Sequence, residues 1–522
     1  MDNKTMPDSS LTLIKALSEA NACSIVETHI SWVLLTGQYA YKIKKPVDFG
    51  FLDFSTLEKR RFCCNEELRL NRRLAAELYL KVLPITGTPD HPEIDGTGAA
   101  IEYALKMIRF PSGQLLSEYA GRDQLNTDEI DQLADLVAGF HDTIEQANES
   151  SPYGDSANIK HWFIENFDHI RPLLSDDDQK QRLQNIRQWG DSEWLKQAAL
   201  MQQRRQQGYV RECHGDLHLG NMTLINGKVT LFDCIEFNPM LRWIDVISEV
   251  AFLFVDLLRF GYEHYAYRFL NRYMQHTGDY QGLALLRYYL VYRALVRAKV
   301  SVLRMAQQHD DDADQARCEY AVFAGLAERF TRHRQTALII THGYSGSGKS
   351  TLASQLAEKI GAFQIRSDIE RKRLFGYQAS AQTGSGINDG LYSQQASQKT
   401  YQHLKELAKT VLDAGFPAII DATFLKSGQR DLFRQLANDC GAPFHIITFQ
   451  ASEQELCRRI QQRQNDASEA TITVLHQQQR SAQPLSEQEQ ADVITIDTES
   501  DNALKNLLDN FDHYCNNCAV YS

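Results

Sequence analysis

The segment Thr341-His-Gly-Tyr-Ser-Gly-Ser-Gly-Lys-Ser-Thr351 holds the most specific chemistry in the chain. From Gly343 to Ser350 it reads G-x-x-x-x-G-K-S. Glycines at this spacing let backbone N–H groups converge on phosphate oxygens, and a following helix adds partial positive charge. The candidate phosphate contacts are Gly343, Ser345, Gly346, Ser347, Gly348, Lys349, Ser350 and Thr351. Lys349 is placed to reach β- and γ-phosphates, and the Ser350 hydroxyl to hold Mg2+. A chance glycine turn is the competing reading. The flanks argue against it, because apolar Ala337-Leu-Ile-Ile340 precedes the loop and helix-like Leu352 to Ile360 follows.

The elements around this loop read as a parallel, doubly wound α/β layer. Ala362 to Ser367 is a second strand. Phe416 to Thr423 is a buried strand that delivers Asp421, a Walker-B-type carboxylate for Mg2+, and Thr423 at its C-terminal end. His445 to Phe449 and Asp492 to Ile496 complete about five strands. Gln378 to Asp389 reads as a mobile substrate loop, and Ser468 to Glu489, rich in Gln and Ser, as a flexible lid or linker. Glu455 to Arg463 is helical and sets Arg459 and Arg463 four residues apart on one face.

Upstream, Trp32 to Leu35, the turn Thr36-Gly-Gln38 and Tyr39 to Lys44 read as a β-hairpin, with Ala40, Lys42 and Lys44 on one face. Ser55-Thr-Leu-Glu58 is a capping box that opens a long helix, on which Glu67 borders the apolar stripe and Glu66 points outward. His141 reads as a hydrogen-bonded structural histidine. Residues 241–330 are helix-rich, with Arg242 and Asp245 as an internal ion pair and the acidic run Gln307 to Asp314 as an exposed loop. Thr331 to Gln335 is the expected domain boundary.

Length and composition bound what such a chain can be. The 522 residues allow two to four domains, and 43% hydrophobic with 23% charged content is that of a water-soluble globular protein. The net charge is −12, split −4 over 336–522 (17 basic, 21 acidic) and −8 over the rest, so a broad nucleic-acid footprint is not expected. Ile244 to Leu258 is the most apolar segment, but Asp245, Glu249 and Asp256 make it a buried helix rather than a membrane span. Met1-Asp-Asn-Lys4 has no apolar signal core, and the ten cysteines form no disulfide framework, so the cytoplasm is the expected location. Cys515 and Cys518, a lone C-x-x-C, read as free thiols.

The stretch His214-Gly-Asp216 with Asn221 spells H-G-D-x-x-x-x-N, followed by Asp233 twelve residues on. It resembles the catalytic loop of aminoglycoside phosphotransferases and related small-molecule kinases. The resemblance implies that Asp216 orients or deprotonates an acceptor hydroxyl, and that Asn221 and Asp233 hold Mg2+. Ala40-x-Lys42 resembles the lysine strand of the same fold, with Glu67 as the partner on the following helix. No glycine-rich G-x-G-x-x-G precedes Lys42, and because Lys44 shares its face, a solvated basic strand competes with this assignment.

Ser367-Asp-x-x-Arg371 resembles the S-D-x-x-R element of P-loop kinases such as gluconate kinases, zeta toxins and polynucleotide kinases. This implies Asp368 as base and Arg371 as substrate ligand. Arg459 and Arg463 resemble the arginines of these enzymes' lids. The whole chain resembles a bacterial fusion of an aminoglycoside phosphotransferase-like domain with a P-loop domain. The implied architecture is a two-lobed, protein-kinase-like α+β domain at 1–330 (small lobe about 1–110, helical lobe about 111–330) and a P-loop domain at 336–522. The expected activity is ATP- and Mg2+-dependent phosphoryl transfer at two sites to small-molecule hydroxyl groups. A regulatory ATP-binding protein and a nucleic-acid 5′-hydroxyl kinase are the alternatives. An AAA+ remodelling motor is disfavoured, because no helical subdomain is evident after the sheet.

Overall fold

The structure is a computed structural model that describes residues 8–50, 52–307, 311–332, 335–378, 381, 393–463 and 468–512. Helix α1 (Asp8–Asn21) leads into β1 (Ser24–Glu27), β2 (Ser31–Leu35) and β3 (Tyr39–Lys44). Helix α2 (Leu57–Ala75) then connects to β4 (Tyr79–Thr88), β5 (His91–Ile94) and β6 (Glu102–Ile108). The six strands form one antiparallel sheet in the order β1-β2-β3-β6-β4-β5. The β2–β3 hairpin pairs Val33 with Lys42. Leu17, Trp32, Leu34 and Ile43 are among the residues that fill the core beside it. Helix α2 begins one residue later than the capping box implied. Thr56 is the N-cap, and its hydroxyl accepts from the Lys59 N–H at 3.3 Å, while Ser55 bonds to Asp53 instead.

Helices α3 (Leu116–Gly121), α4 (Thr127–Thr143), α5 (Ser156–Ile170) and α6 (Asp177–Gln206) follow. Next come β7 (Val210–Glu212), the hairpin β8 (Met222–Ile225) and β9 (Lys228–Leu231), α7 (Pro239–Arg242), β10 (Trp243–Asp245) and α8 (Val246–Arg259). Helices α9 (Glu263–Thr277), α10 (Leu283–Gln307) and α11 (Asp311–Thr331) complete the helical region. The second half of the acidic run expected as a loop, Asp311 to Asp314, is thus the start of α11, where Asp314 suits a helix N-terminus. His141 is the structural histidine anticipated, its Nδ1 lying 2.9 Å from the Tyr273 hydroxyl.

The final segment alternates strand and helix: β11 (Leu338–His342), α12 (Lys349–Ile360), β12 (Phe363–Arg366), α13 (Ser367–Leu374), α14 (Gln394–Asp413), β13 (Ala418–Asp421), α15 (Ser427–Cys440), β14 (Phe444–Gln450), α16 (Glu453–Gln462), α17 (Ile472–Ser481), β15 (Val493–Asp497) and α18 (Ala503–Asp509). Its five strands are all parallel, in the order β12-β13-β11-β14-β15. Ile339, Leu356, Ile419, Phe449 and Leu507 are among the residues of its core. Within 468–489, expected as a flexible lid or linker, helix α17 spans Ile472–Ser481. The Gln378–Asp389 substrate loop, apart from Gln378 and Ala381, and Cys515 and Cys518 lie outside the described residues.

The chain separates into two compact units. One comprises Met1–Gln132, Thr143–Ile159 and Ala199–Asp256; the other comprises Leu133–Asp142, Lys160–Ala198 and Leu257–Ser522. Among the described residues, no helix is long and apolar enough to cross a membrane.

Candidate active sites

The first unit gathers five ionisable side chains around strand β3. Lys42 Nζ lies 2.7 Å from Glu67 Oε1 and 2.5 Å from Asp233 Oδ1. Lys44 Nζ lies 2.7 Å from the other Glu67 oxygen and also pairs with Glu236. Each oxygen of Glu67 therefore faces one ammonium group, and the carboxylate is fully buried on α2. Burial alone would raise the Glu67 pKa, but Lys42 and Lys44 outweigh it and hold the group at about 2. Burial likewise opposes the charge on Lys44, yet the Glu236 and Glu67 carboxylates keep it protonated. Neither lysine lies on a solvated basic strand.

Asp233 follows β9 in a left-handed backbone conformation, φ +66°, which a non-glycine residue adopts only when its surroundings impose it. Two contacts impose it here. The Asp233 N–H donates to the Tyr79 hydroxyl at 3.2 Å, and the next N–H, of Cys234, donates to Asn71 Oδ1 at 2.9 Å. The Asp233 side chain stays 40% exposed, open to a ligand.

The loop from His214 to Asn221 is held from below by the acids of α8. His214 and Gly215 donate their N–H groups to the Glu249 carboxylate at 2.6 and 3.0 Å, and the Leu219 N–H donates to Asp256 at 2.9 Å. Asn221 Nδ2 donates to both the side chain and the carbonyl of Asp216, each at 3.0 Å, so its amide oxygen is the atom suited to a cation. Backbone bonds tie this loop to the Asp233 segment: Phe232 N–H to Asn221 O and Ile235 N–H to His214 O, both 3.0 Å. His218 Nε2 lies 3.3 Å from Asp216 Oδ2. His214 accepts the Asp216 N–H on Nδ1 and sets Nε2 2.8 Å from the Phe232 carbonyl; burial lowers its pKa to about 4, so it is neutral near pH 7. The expected Arg242–Asp245 pair does not form. Arg242 binds Glu212 and Glu66, while Asp245 is bound by the fully buried Arg204 at 2.8 and 3.0 Å.

The second unit contains the glycine loop. The Gly343 N–H donates to Thr423 O at 3.2 Å, and the Thr341 hydroxyl lies 2.7 Å from Ala422 O, which fixes the loop's entry beside the end of β13. Gly343 and Gly346 have φ of +141° and +85°, and a Cβ there would come within 2.6 Å of Phe449 O and 2.8 Å of Leu456 O. Gly348 caps α12, and Lys349, its first residue, turns its ammonium back onto Tyr344 O at 2.8 Å. Ser345 and Ser347 are buried, Ser350 half-buried and Thr351 exposed. Gln478 of α17 caps the loop, accepting the Ser345 N–H at 2.9 Å and donating to the Ser345 hydroxyl at 3.0 Å.

Asp421 is buried at the end of β13. It accepts from the Ser350 hydroxyl and from Gln364 Nε2 at 3.1 Å, while burial raises its pKa. Asp368 lies in the first turn of α13, whose N-cap is Arg366, and Arg371 Nη1 is 3.4 Å away. The two lid arginines do not share a helix face, because α16 ends at Gln462 and Arg463 has extended backbone. Arg463 donates to Ser468 O, whereas Arg459 ties Glu455 to Thr498 and reaches Gly346 O at 3.5 Å. His342, just before the loop, has its pKa lowered to about 4, chiefly by burial.

Two family models match the chain: "Phosphotransferase enzyme family" over residues 64–289 and "AAA domain" over residues 338–485. An uncharacterised protein of Mycobacterium tuberculosis (strain ATCC 25618 / H37Rv) is 30% identical over 448 residues, 86% of this chain and 88% of that one. The chain belongs to the family of that mycobacterial protein. It joins a phosphotransferase-family segment to a P-loop kinase segment, and it is a kinase. Among solved structures, the chain is similar to a sugar kinase from Janibacter sp. HTCC2649 (21% identity, 35% of this chain and 98% of that one, TM-score 0.28). It is also similar to a Plasmodium vivax ethanolamine kinase (11% identity, 58% of this chain and 81% of that one, TM-score 0.36). The description "AAA domain" covers the segment that holds the glycine loop, whereas the sequence reading disfavoured only an AAA+ remodelling motor. The matched segment ends at residue 485, and after it the described residues hold only β15, α18 and a single 3-10 turn.

Several residues that build these sites had no role in the sequence reading. Glu249 and Asp256 were visible as acids in an otherwise apolar helix, the one sequence signal that a buried carboxylate has a specific donor to meet. Glu236, Gln364 and Gln478 carried no comparable signal.

Proposed function

We propose that this kinase carries two phosphoryl-transfer sites, one in each of the domains 1–330 and 336–522, both ATP- and Mg2+-dependent, with small-molecule hydroxyl groups as acceptors. The observation that carries the reading is the recurrence of one set of groups at two places. Each place has a lysine, a carboxylate and a neutral oxygen donor beside it: Lys42, Asp233 and Asn221 at the first, Lys349, Asp421 and Ser350 at the second. Carboxylate, amide and hydroxyl oxygens are the ligands a hard divalent cation prefers. Mg2+, when bound, supplies neutralisation of phosphate charge. In this reading Lys42, oriented by Glu67, pairs with phosphate oxygens. Asp216 receives or orients the acceptor hydroxyl proton, with Asn221 fixing its carboxylate. At the second site the backbone N–H groups from Gly348 to Thr351, at the start of α12, and the Lys349 ammonium cradle phosphates, Asp368 takes the acceptor's proton, and Arg371 and Arg459 face anionic groups.

Purified protein incubated with labelled ATP and a cell metabolite extract tests the proposal. Asp216→Ala is expected to lose one set of labelled products and Lys349→Ala another. If neither change removes a product, the two-site reading is wrong. Label appearing only in 5′-hydroxyl oligonucleotides would favour a nucleic-acid end kinase, and tight ATP binding without any transfer a regulatory protein.

A further inference from the structure

β12 is the edge strand of the parallel sheet, so every second N–H and C=O along it lacks a strand partner. Helix α9 supplies one through side chains. Asn271 Nδ2 donates to Ala362 O at 2.9 Å, and its Oδ1 accepts the Gln364 N–H at 2.7 Å, the pair of bonds a neighbouring strand would make. One helical turn on, Gln275 Nε2 approaches Gln364 Oε1 at 3.5 Å. With its oxygen so engaged, Gln364 turns its Nε2 to two acceptors, Asp421 Oδ2 and Ser350 O, both at 3.1 Å. Asn271 and Gln364 are both buried. Two acceptors on one side and a donor on the other leave a single orientation for the Gln364 amide.

Gln364 therefore fixes the two residues assigned to Mg2+ in the glycine-loop site, and α9 fixes Gln364. Helix α9 lies within residues 64–289, matched to the phosphotransferase family, whereas Gln364, Ser350 and Asp421 lie within 338–485. We infer that Asn271 and Gln275, residues of the phosphotransferase-family segment, are positioning residues for the metal ligands of the other segment's P-loop, acting through Gln364. The inference rests on the proposed role of Asp421 and Ser350 as metal ligands. It makes the P-loop site dependent on a helix outside its own family segment.

The test is the Mg2+ dependence of ATP binding, titrated in the full chain carrying Asp233→Ala so that the first metal site is silent. Gln364→Ala is expected to raise the Mg2+ concentration for half-maximal ATP binding about tenfold, as the loss of a group that orients a metal ligand typically does. Asn271→Ala is expected to shift it in the same direction by roughly threefold, since Gln275 remains to hold the amide. Gln364→Met keeps the buried volume while losing the donor, and it reads the same effect should the alanine variant not fold. Arg268→Ala removes an α9 contact to Glu358 of α12, at 2.9 Å, that does not touch Gln364, and should leave the midpoint unchanged. ATP affinity in EDTA should be equal in all of these. A Mg2+ midpoint at the parent value in Gln364→Met and Asn271→Ala overturns the inference. A midpoint also unmoved by Asp421→Asn would show that the metal assignment itself fails, and the inference with it.

Discussion

The two candidate sites assemble positive charge from different materials. Around β3 the positive charge comes from side chains: the ammonium groups of buried Lys44 and half-buried Lys42 are surrounded by three carboxylates, Glu67, Glu236 and Asp233. In the glycine loop the donors are backbone N–H groups and the start of α12, with the Lys349 ammonium resting on the Tyr344 carbonyl and Arg459 reaching Gly346 O. A side-chain network is stable only while its charges match, because a buried charge without a partner is costly. A backbone cradle is held by its glycine conformations and is less sensitive to any single charge. The contrast predicts where each site breaks.

The largest expected effect is on stability at the first site. Lys44→Met leaves Glu236 and half of Glu67 uncompensated in the interior and should cost about 3–5 kcal/mol, read by denaturant unfolding. The matching Lys349→Met removes the ammonium that donates to the Tyr344 carbonyl and should cost about 1 kcal/mol. Equal losses would erase the contrast.

Next in size is a pH effect that the two sites share. His214 has its pKa lowered to about 4 from an ordinary value of 6.5, so between these values the unfolded chain binds a proton that the folded chain excludes. Stability therefore falls as pH drops through that window, by about 2 kcal/mol between pH 7 and pH 5 for His214. His342 at the glycine loop acts in the same direction. His214→Asn should flatten the first site's share of the pH profile of the melting temperature; an unchanged slope would remove the histidine from the account.

The smallest effect sharpens the description of the first site. Glu249→Gln replaces the carboxylate under the His214 and Gly215 N–H groups with a weaker acceptor. It should cost about 1–2 kcal/mol of stability without altering nucleotide binding at the glycine loop.

What could be read in the chain beforehand follows the same division. The glycine loop is local, with spacing, flanking strand and helix all contiguous, so motif and element agree from Ala337 to Ile360. The five-stranded parallel sheet follows from the apolar runs between helices. The set around β3 is non-local. Lys42, Glu67 and Asp233 span 191 positions, and the order of the motifs, rather than any periodicity, pointed to them. Lys44 illustrates the limit: sharing a face with Lys42, it looked solvated, yet Glu67 from α2 and Glu236 from far along the chain both pair with it in the core. Arg463 illustrates another, since a spacing of four places two side chains together only while the helix lasts, and α16 ends one residue short. Gln364, Asn271 and Gln478 are amides with no signature in sequence, because what defines them is the edge strand or loop they satisfy.

The central claim is that one chain holds two separate nucleotide sites. Equilibrium binding of a non-hydrolysable ATP analogue in Mg2+ measures it most directly. The account predicts two molecules bound per chain, one after Lys42→Ala, one after Lys349→Ala, and none in the double variant. One molecule per unaltered chain, abolished by either single change, would contradict it.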